Sequence, residues 1–107
     1  MNQYRTRPRA EQDLIEHFAY IARDKVAPAD RFLKVAEESF TRLVEMPGLG
    51  RAWESPDPKL QGIHVYPLPS PYRSYLVFYR VSADGDIEIL SVLHAARDIG
   101  ALIEDIL

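Results

Sequence analysis

The chain of 107 residues contains no cysteine, which excludes disulfide bonds and thiolate metal sites and favours a reducing cytoplasm. It also lacks an uninterrupted apolar run long enough to span a bilayer. Residues 1–9 are polar and basic and have no apolar stretch of the kind found in signal peptides. We therefore expect a cytoplasmic protein with no membrane partner.

An excess of positive charge is missing as well, since 13 Lys and Arg residues face 16 Asp and Glu residues and the net charge is −3. Dedicated nucleic-acid binders are usually basic, so we expect no direct nucleic-acid binding. The charge is uneven, because residues 48–82 contain four basic and two acidic side chains whereas residues 83–107 contain one and six. The middle of the chain is therefore expected to present a locally positive surface.

Hydrophobic residues make up 47% of the chain and charged residues 27%, which is typical of a folded globular protein of one domain over residues 1–107. Two segments of helical periodicity follow Pro8, which suits the first turn of a helix. The break at Val26-Ala27-Pro28 and the stop at Met46-Pro47-Gly48 predict an αα-hairpin. The apolar positions are Ala10, Leu14, Phe18, Ile21 and Ala22 in the first helix, and Ala29, Phe32, Leu33, Ala36, Phe40, Leu43 and Val44 in the second.

Strand-like segments lie on both sides of the hairpin. A short strand is predicted over Asn2–Arg7, Leu49–Gln61 is predicted to be a loop, and Asp84-Gly85 is typical of a hairpin turn. The other predicted elements are strands over Gly62–Leu68, Tyr72–Val81 and Ile87–Leu93 and a last helix over Ile99–Leu107. This order predicts an α+β fold of two layers, with the hairpin packed on an antiparallel meander and the first strand at an edge.

The sequence predicts no metal site and no cofactor. His17, His64 and His94 are far apart and no close pair of ligand types accompanies them, so His17 is interpreted as a structural or solvated residue. No nucleophile elbow or phosphate-binding glycine loop is present. Tyr75 and Tyr79 are expected in the core.

Two interpretations of the basic side chains remain open. A ribonuclease acting through the 2′-hydroxyl needs a base, an acid and cations, and the histidines and arginines of the strands have that chemistry. The alternative is that they are solvated strand and loop residues or contacts to a partner, which we favour. Asp98 is interpreted as a helix N-cap, which leaves Arg97 exposed just outside the helix.

Four segments, taken in order, resemble the ParE-type toxins of the RelE/ParE superfamily. LVEMPGLGR at Leu43–Arg51 is similar to the end of their second helix, and YLVFYRV at Tyr75–Val81 to their central strand. IEILSVLHAARD at Ile87–Asp98 is similar to their C-terminal segment, with Ala95 where the family pattern has glycine. Near the start, the matching positions are Ala10, Asp13, Leu14 and Ile21.

The resemblance implies a RelE/ParE-like fold and a toxin that binds a ParD-like antitoxin, a ribbon-helix-helix DNA-binding protein, in a hetero-oligomer. It implies inhibition of DNA gyrase without an active site in the toxin itself, whereas RelE-like relatives cut mRNA on the ribosome. For this chain the endonuclease alternative requires His64, Arg73, Arg80, His94 or Arg97 to converge on the open sheet face, and a third alternative is a non-toxic relative that only binds antitoxin. The candidate antitoxin or target contacts are Arg51, Arg73, Arg80, His94 and Arg97.

Overall fold

Three helices and five strands form the chain in the computed structural model, which describes residues 1–97 and 99–106 and the side chains through residue 103. The elements are β1 (Tyr4–Thr6), α1 (Pro8–Ala22), α2 (Val26–Glu45), β2 (Arg51–Ala52), β3 (Ile63–Pro67), β4 (Tyr75–Val81), β5 (Ile87–His94) and α3 (Ile99–Ile106). Short 3₁₀ turns at Pro47–Leu49 and Pro58–Leu60 flank β2. The predicted order of hairpin, meander and last helix is confirmed.

The strands form one sheet in the order β1-β5-β4-β3-β2. Neighbouring strands from β2 to β5 are antiparallel, and β1 pairs in parallel with β5, which places the first strand at an edge as predicted. Gly85 has a φ of +92° in the turn between β4 and β5, a conformation that glycine adopts without strain. The α+β fold predicted from the sequence is therefore confirmed, with a mixed sheet.

Both faces of the sheet are covered by apolar side chains. The helical hairpin covers one face, where Phe32, Phe40 and Leu43 of α2 pack against Val77 and Tyr79 of β4. On the opposite face, α3 inserts Ile103 into a second cluster with Phe78, Leu90 and Leu93. Each such buried side chain contributes roughly 1.5–3 kcal/mol, so the two clusters hold the sheet between the hairpin and the C-terminal helix.

Two local predictions were wrong. The helix break lies at residues 23–25, where Lys25 is extended, and not at Val26-Ala27-Pro28. Pro28 is the third residue of α2, and a proline is tolerated in the first turn because the amides there have no intrahelical partner. The predicted loop Leu49–Gln61 contains β2, a two-residue strand that is too short to give a sequence period.

The remaining expectations concern Asp98 and the membrane. The predicted N-cap role of Asp98 lies outside the described residues. Arg97 is exposed, as expected from its place before α3. Among the described residues, no helix combines the length and the hydropathy that a membrane span requires.

Candidate functional site

Two polar side chains on α1, one helical turn apart, fix this helix to β5. The carboxylate of Asp13, which is only 5% exposed, accepts hydrogen bonds from the hydroxyl of Ser91 and from the amide of Val92 (3.0 Å). His17 Nε2 donates to the carbonyl oxygen of Val92 at 2.7 Å, and the hydrogen must lie on Nε2 because a carbonyl only accepts. Both backbone polar groups of Val92 are thus bonded to α1.

The sheet is irregular at the same place. Phe78 pairs with Ser91 whereas Tyr79 pairs with Ile89, so Leu90 is an extra residue and β5 carries a β-bulge. A bulge interrupts the hydrogen bonds between strands and redirects side chains locally. The bulge and the two α1 side chains together set the position of α1 relative to the end of β5.

Tyr75 lies between two histidine rings. Its ring centroid is 4.9 Å from that of His17 and 5.0 Å from that of His94, both in edge-on arrangements, and 4.8 Å from that of Phe32. Tyr75 and His94 are paired residues of β4 and β5, so the strand register fixes their contact. The rings of His17, Tyr75 and His94 therefore form an aromatic row, which connects α1 to the end of the sheet.

The aromatic row forms the base of a cleft of about 590 Å³ between α1, the end of β5 and the turn that follows. We call it the tyrosine cleft; it is lined by Glu16, His17, Tyr20, Tyr75, His94, Ala96 and Arg97. Tyr20 is 67% exposed at the rim, and the guanidinium of Arg23 lies over its ring at 5.9 Å. The volume lies within the range of about 300–1,000 Å³ that small-ligand sites occupy.

Three hydrogen-bond donors in the cleft form no bond with the residues that the structure describes. The amide of Ala96 donates to His94 Nδ1 at 3.1 Å, so Nε2 carries the hydrogen in the neutral ring and forms no bond with a described residue. The Arg97 guanidinium and the Tyr75 hydroxyl likewise bond to none of the described residues, although Tyr75 is only 9% exposed. The Tyr75 ring is nearly buried but the residue lines the cleft, so its hydroxyl is a candidate for contact with a ligand there.

Burial raises the pKa of Tyr75 above its ordinary value, and the nearby phenols of Tyr20 and Tyr72 raise it further. Burial also raises the pKa of Tyr79, against a smaller lowering by the backbone amide of Gly50. Both phenols are therefore protonated at neutral pH, and Tyr75 can act there as a hydrogen-bond donor.

We expect the six tyrosines of the chain to ionise in two groups during an alkaline titration followed by ultraviolet absorbance. Because the pKa values of Tyr75 and Tyr79 are raised on folding, their stabilisation is complete below the unfolded value of about 10 and is lost as pH rises through the folded values. The late group should coincide with unfolding and should shrink in Tyr75→Phe. Ionisation of all tyrosines at one midpoint, with the fold intact, would contradict this assignment.

The structure brings His94 and Arg97 together and places Arg51 and Arg80 elsewhere. Arg51 is exposed on the edge strand β2, and Arg73 is exposed in the turn before β4. Arg80 Nη2 donates to the carbonyl oxygens of Lys59 (3.2 Å) and Gln61 (3.4 Å), so its guanidinium fastens the loop before β3.

The structure does not bring His64 and Arg80 together with His94, as the endonuclease alternative would require of them. His64 stacks on Tyr79 at 5.3 Å on the hairpin face, whereas Arg80, the next residue of β4, points to the opposite face. Tyr79 and Tyr75, the strand partners of His64 and His94, are four residues apart on β4, which separates the two histidines by roughly 13 Å. Within the described part of the chain no group of three metal-ligating side chains is present either.

A family model described as the ParE toxin of the type II toxin–antitoxin system parDE matches residues 4–99. The chain belongs to the ParE toxin family. As a ParE family member it is the toxin component of a type II toxin–antitoxin system. The matched region contains every residue that lines the tyrosine cleft. No curated protein matches the sequence.

A solved structure, "Chromosomal ParDE TA system from P. aeruginosa", has the same fold, with a TM-score of 0.67 and 22% sequence identity. The alignment covers 88% of this chain and 95% of that one. The ParE-like fold inferred from four short segments is therefore confirmed over nearly the full length.

Sequence reasoning missed the polar pair of α1 in this ParE family member. Asp13 matches the family pattern but its bonds to β5 are not predicted, whereas the structural interpretation of His17 agrees with its bond to Val92. The signal was present, because residues four apart share one helix face and Asp13 lies beside the apolar positions Ala10 and Leu14. Tyr75 is in the core as predicted, and it also reaches the cleft.

Proposed function

We propose that this ParE family member blocks replication and growth by binding and inhibiting DNA gyrase, and that a ParD-like antitoxin neutralises it. The observation that carries the proposal is the family match over residues 4–99, since inhibition of gyrase is what the resemblance to ParE-type toxins implies. The P. aeruginosa neighbour of the same fold belongs to a ParDE toxin–antitoxin system, which supports an antitoxin partner for this chain as well.

The placement of the basic residues supports a toxin that acts by binding. General acid–base chemistry needs its groups within hydrogen-bond reach of one reacting centre. His64 and Arg80 lie away from His94 and Arg97, which favours binding over general acid–base chemistry by these four residues. An exposed Arg97 beside a cleft is instead suited to contact with another protein, where arginine is enriched at energetically important positions.

The decisive experiment is a supercoiling assay with the purified chain, gyrase and relaxed plasmid, run beside an mRNA cleavage assay on translating ribosomes. We expect loss of supercoiling or trapped cleaved DNA, intact mRNA, and recovery of supercoiling when the cognate antitoxin is added at equimolar amount. Recovery by the antitoxin is the control that separates specific inhibition from non-specific precipitation of gyrase.

Two outcomes would contradict the proposal. Codon-positioned cuts in mRNA, with gyrase unaffected, would assign the chain to the ribosome-dependent endonucleases. Binding of the antitoxin without effect on gyrase, mRNA or growth would identify a non-toxic relative. Induced expression in growing cells, with and without the antitoxin, distinguishes the second outcome from inactive purified protein.

A further inference from the structure

The tyrosine cleft presents a set of donors that suits an anion. The Tyr75 hydroxyl, His94 Nε2 and the Arg97 guanidinium all line it, and none of them bonds to a described residue. The hydroxyl matters most, since Tyr75 is nine-tenths buried and its ring is fixed between His17 and His94. A fixed donor and an exposed guanidinium in the same cleft favour a planar carboxylate, which arginine binds with two parallel hydrogen bonds.

The charge around the cleft favours a single carboxylate over a nucleic acid. Among the described lining residues Arg97 is the only permanent cation and Glu16 the only acid. Nucleic-acid binding depends on several Lys or Arg contacts to successive phosphates, and one arginine in a chain of net charge −3 does not supply them. One arginine, one histidine and one phenol are sufficient for one carboxylate group.

The size and the walls of the cleft favour a peptide over a free anion. A volume of about 590 Å³ is far larger than one carboxylate. The rings of Tyr20, Tyr75 and His94 and the methyl group of Ala96 offer apolar surface to the stem of an acidic side chain and to an apolar neighbour.

We infer that the tyrosine cleft binds an acidic peptide segment of a protein partner, with the carboxylate of one Asp or Glu side chain on Arg97, Tyr75 and His94. The inference rests on the proposed function only in taking a protein partner as the source of the peptide. Glu16 opposes the bound carboxylate, so it limits the affinity and keeps the interaction reversible.

The test uses the full chain and two blocked peptides, Leu-Glu-Leu and Leu-Gln-Leu, followed by NMR of the histidine and tyrosine rings. We expect saturable shifts at His94 and Tyr75 with the glutamate peptide, at a Kd about tenfold lower than with the glutamine peptide, as a charge-assisted hydrogen bond requires. Equal binding of the two peptides, or no shift at either ring, would overturn the inference.

Variants that are expected to change the peptide affinity in opposite directions distinguish a direct effect on binding from a general effect on the fold. Arg97→Ala should weaken binding of the glutamate peptide about tenfold and Tyr75→Phe about threefold, whereas Glu16→Gln should strengthen it about twofold. Arg51→Ala is the matched charge control, because Arg51 is exposed on the far edge strand and outside the cleft. A Glu16→Gln variant that binds the glutamate peptide more weakly than the parent would contradict the inference that the cleft binds the carboxylate of the peptide.

A labelled single-stranded oligonucleotide, added as competitor, addresses the other source of negative charge. We expect it to leave the ring shifts unchanged; displacement of the peptide at lower concentration would make the cleft a nucleic-acid site and overturn the inference. The peptide assay does not involve gyrase, so failure here leaves the supercoiling result intact. Peptide binding without gyrase inhibition would remove the proposed function and keep the cleft.

Discussion

Replacing Asp13 with alanine is expected to lower the free energy of unfolding by about 3–5 kcal/mol, a large loss for a single side chain. Alanine removes the acceptor for the Ser91 hydroxyl and the Val92 amide, and both donors are left buried without a partner. Each unsatisfied buried donor costs about 1–3 kcal/mol. Urea unfolding followed by circular dichroism measures the change.

Two variants show which interaction of Asp13 dominates. The side chain of Arg9, which pairs with Asp13 at 3.3 Å, is 42% exposed, so Arg9→Ala should cost only about 0–1 kcal/mol. Glu11→Ala removes an exposed carboxylate from the same helix and should have little effect. A loss in Arg9→Ala as large as that in Asp13→Ala would assign the stability to the ion pair instead of the bonds to β5.

Removing one hydroxyl group from Tyr79 or from Tyr75 is expected to give very different results. Tyr79 is fully buried, and its hydroxyl donates to the Pro47 carbonyl (2.7 Å) and accepts from the Gly50 amide (2.9 Å). Tyr79→Phe should therefore lower the free energy of unfolding by about 2–3 kcal/mol. Tyr75→Phe loses no bond to a described residue and should stay within about 0.5 kcal/mol of the parent.

Tyr75→Phe and Tyr79→Phe are controls for each other, since both changes delete the same atom from a buried ring. Gly50→Ala is a second test of the close contact between residue 50 and Tyr79. A methyl group at this position would lie 2.7 Å from the Tyr79 hydroxyl and 2.9 Å from the Val65 carbonyl oxygen. Thermal unfolding of all three variants is the measurement. Equal losses in Tyr75→Phe and Tyr79→Phe would mean that the Tyr75 hydroxyl also has a structural role.

Most of the fold could be predicted because it follows from local chemistry. Helical spacing of apolar residues over α1 and α2, the stop at Met46-Pro47-Gly48 and the Asp84-Gly85 turn each depend on neighbouring residues. The break before α2 was placed wrongly because Pro28 is compatible both with a break and with a first helical turn. β2 was missed because two residues have no period and exist as a strand only through their pairing with β3.

The site could be predicted only in part. Arg97 and His94 are close in sequence, so their proximity needed no structure, and both were candidate contacts. Arg80 was a candidate by residue type, yet the structure uses its guanidinium to hold the carbonyls of Lys59 and Gln61. Residue type alone does not distinguish a cation that is free for a partner from one that is committed to the fold.

The fold class, the membership of the ParE toxin family and most of the buried positions of α2 follow from the sequence alone, because periodicity, turn chemistry and family motifs are encoded in short segments. The bonds of Asp13 and His17 to Val92, and the meeting of Tyr75 and Arg97 in one cleft, depend on the three-dimensional packing. These residues come from α1, β4 and the end of β5, and Asp13 and Val92 alone are 79 positions apart. The bulge in β5 and the packing of the hairpin bring them together, and neither leaves a periodic signal in the sequence.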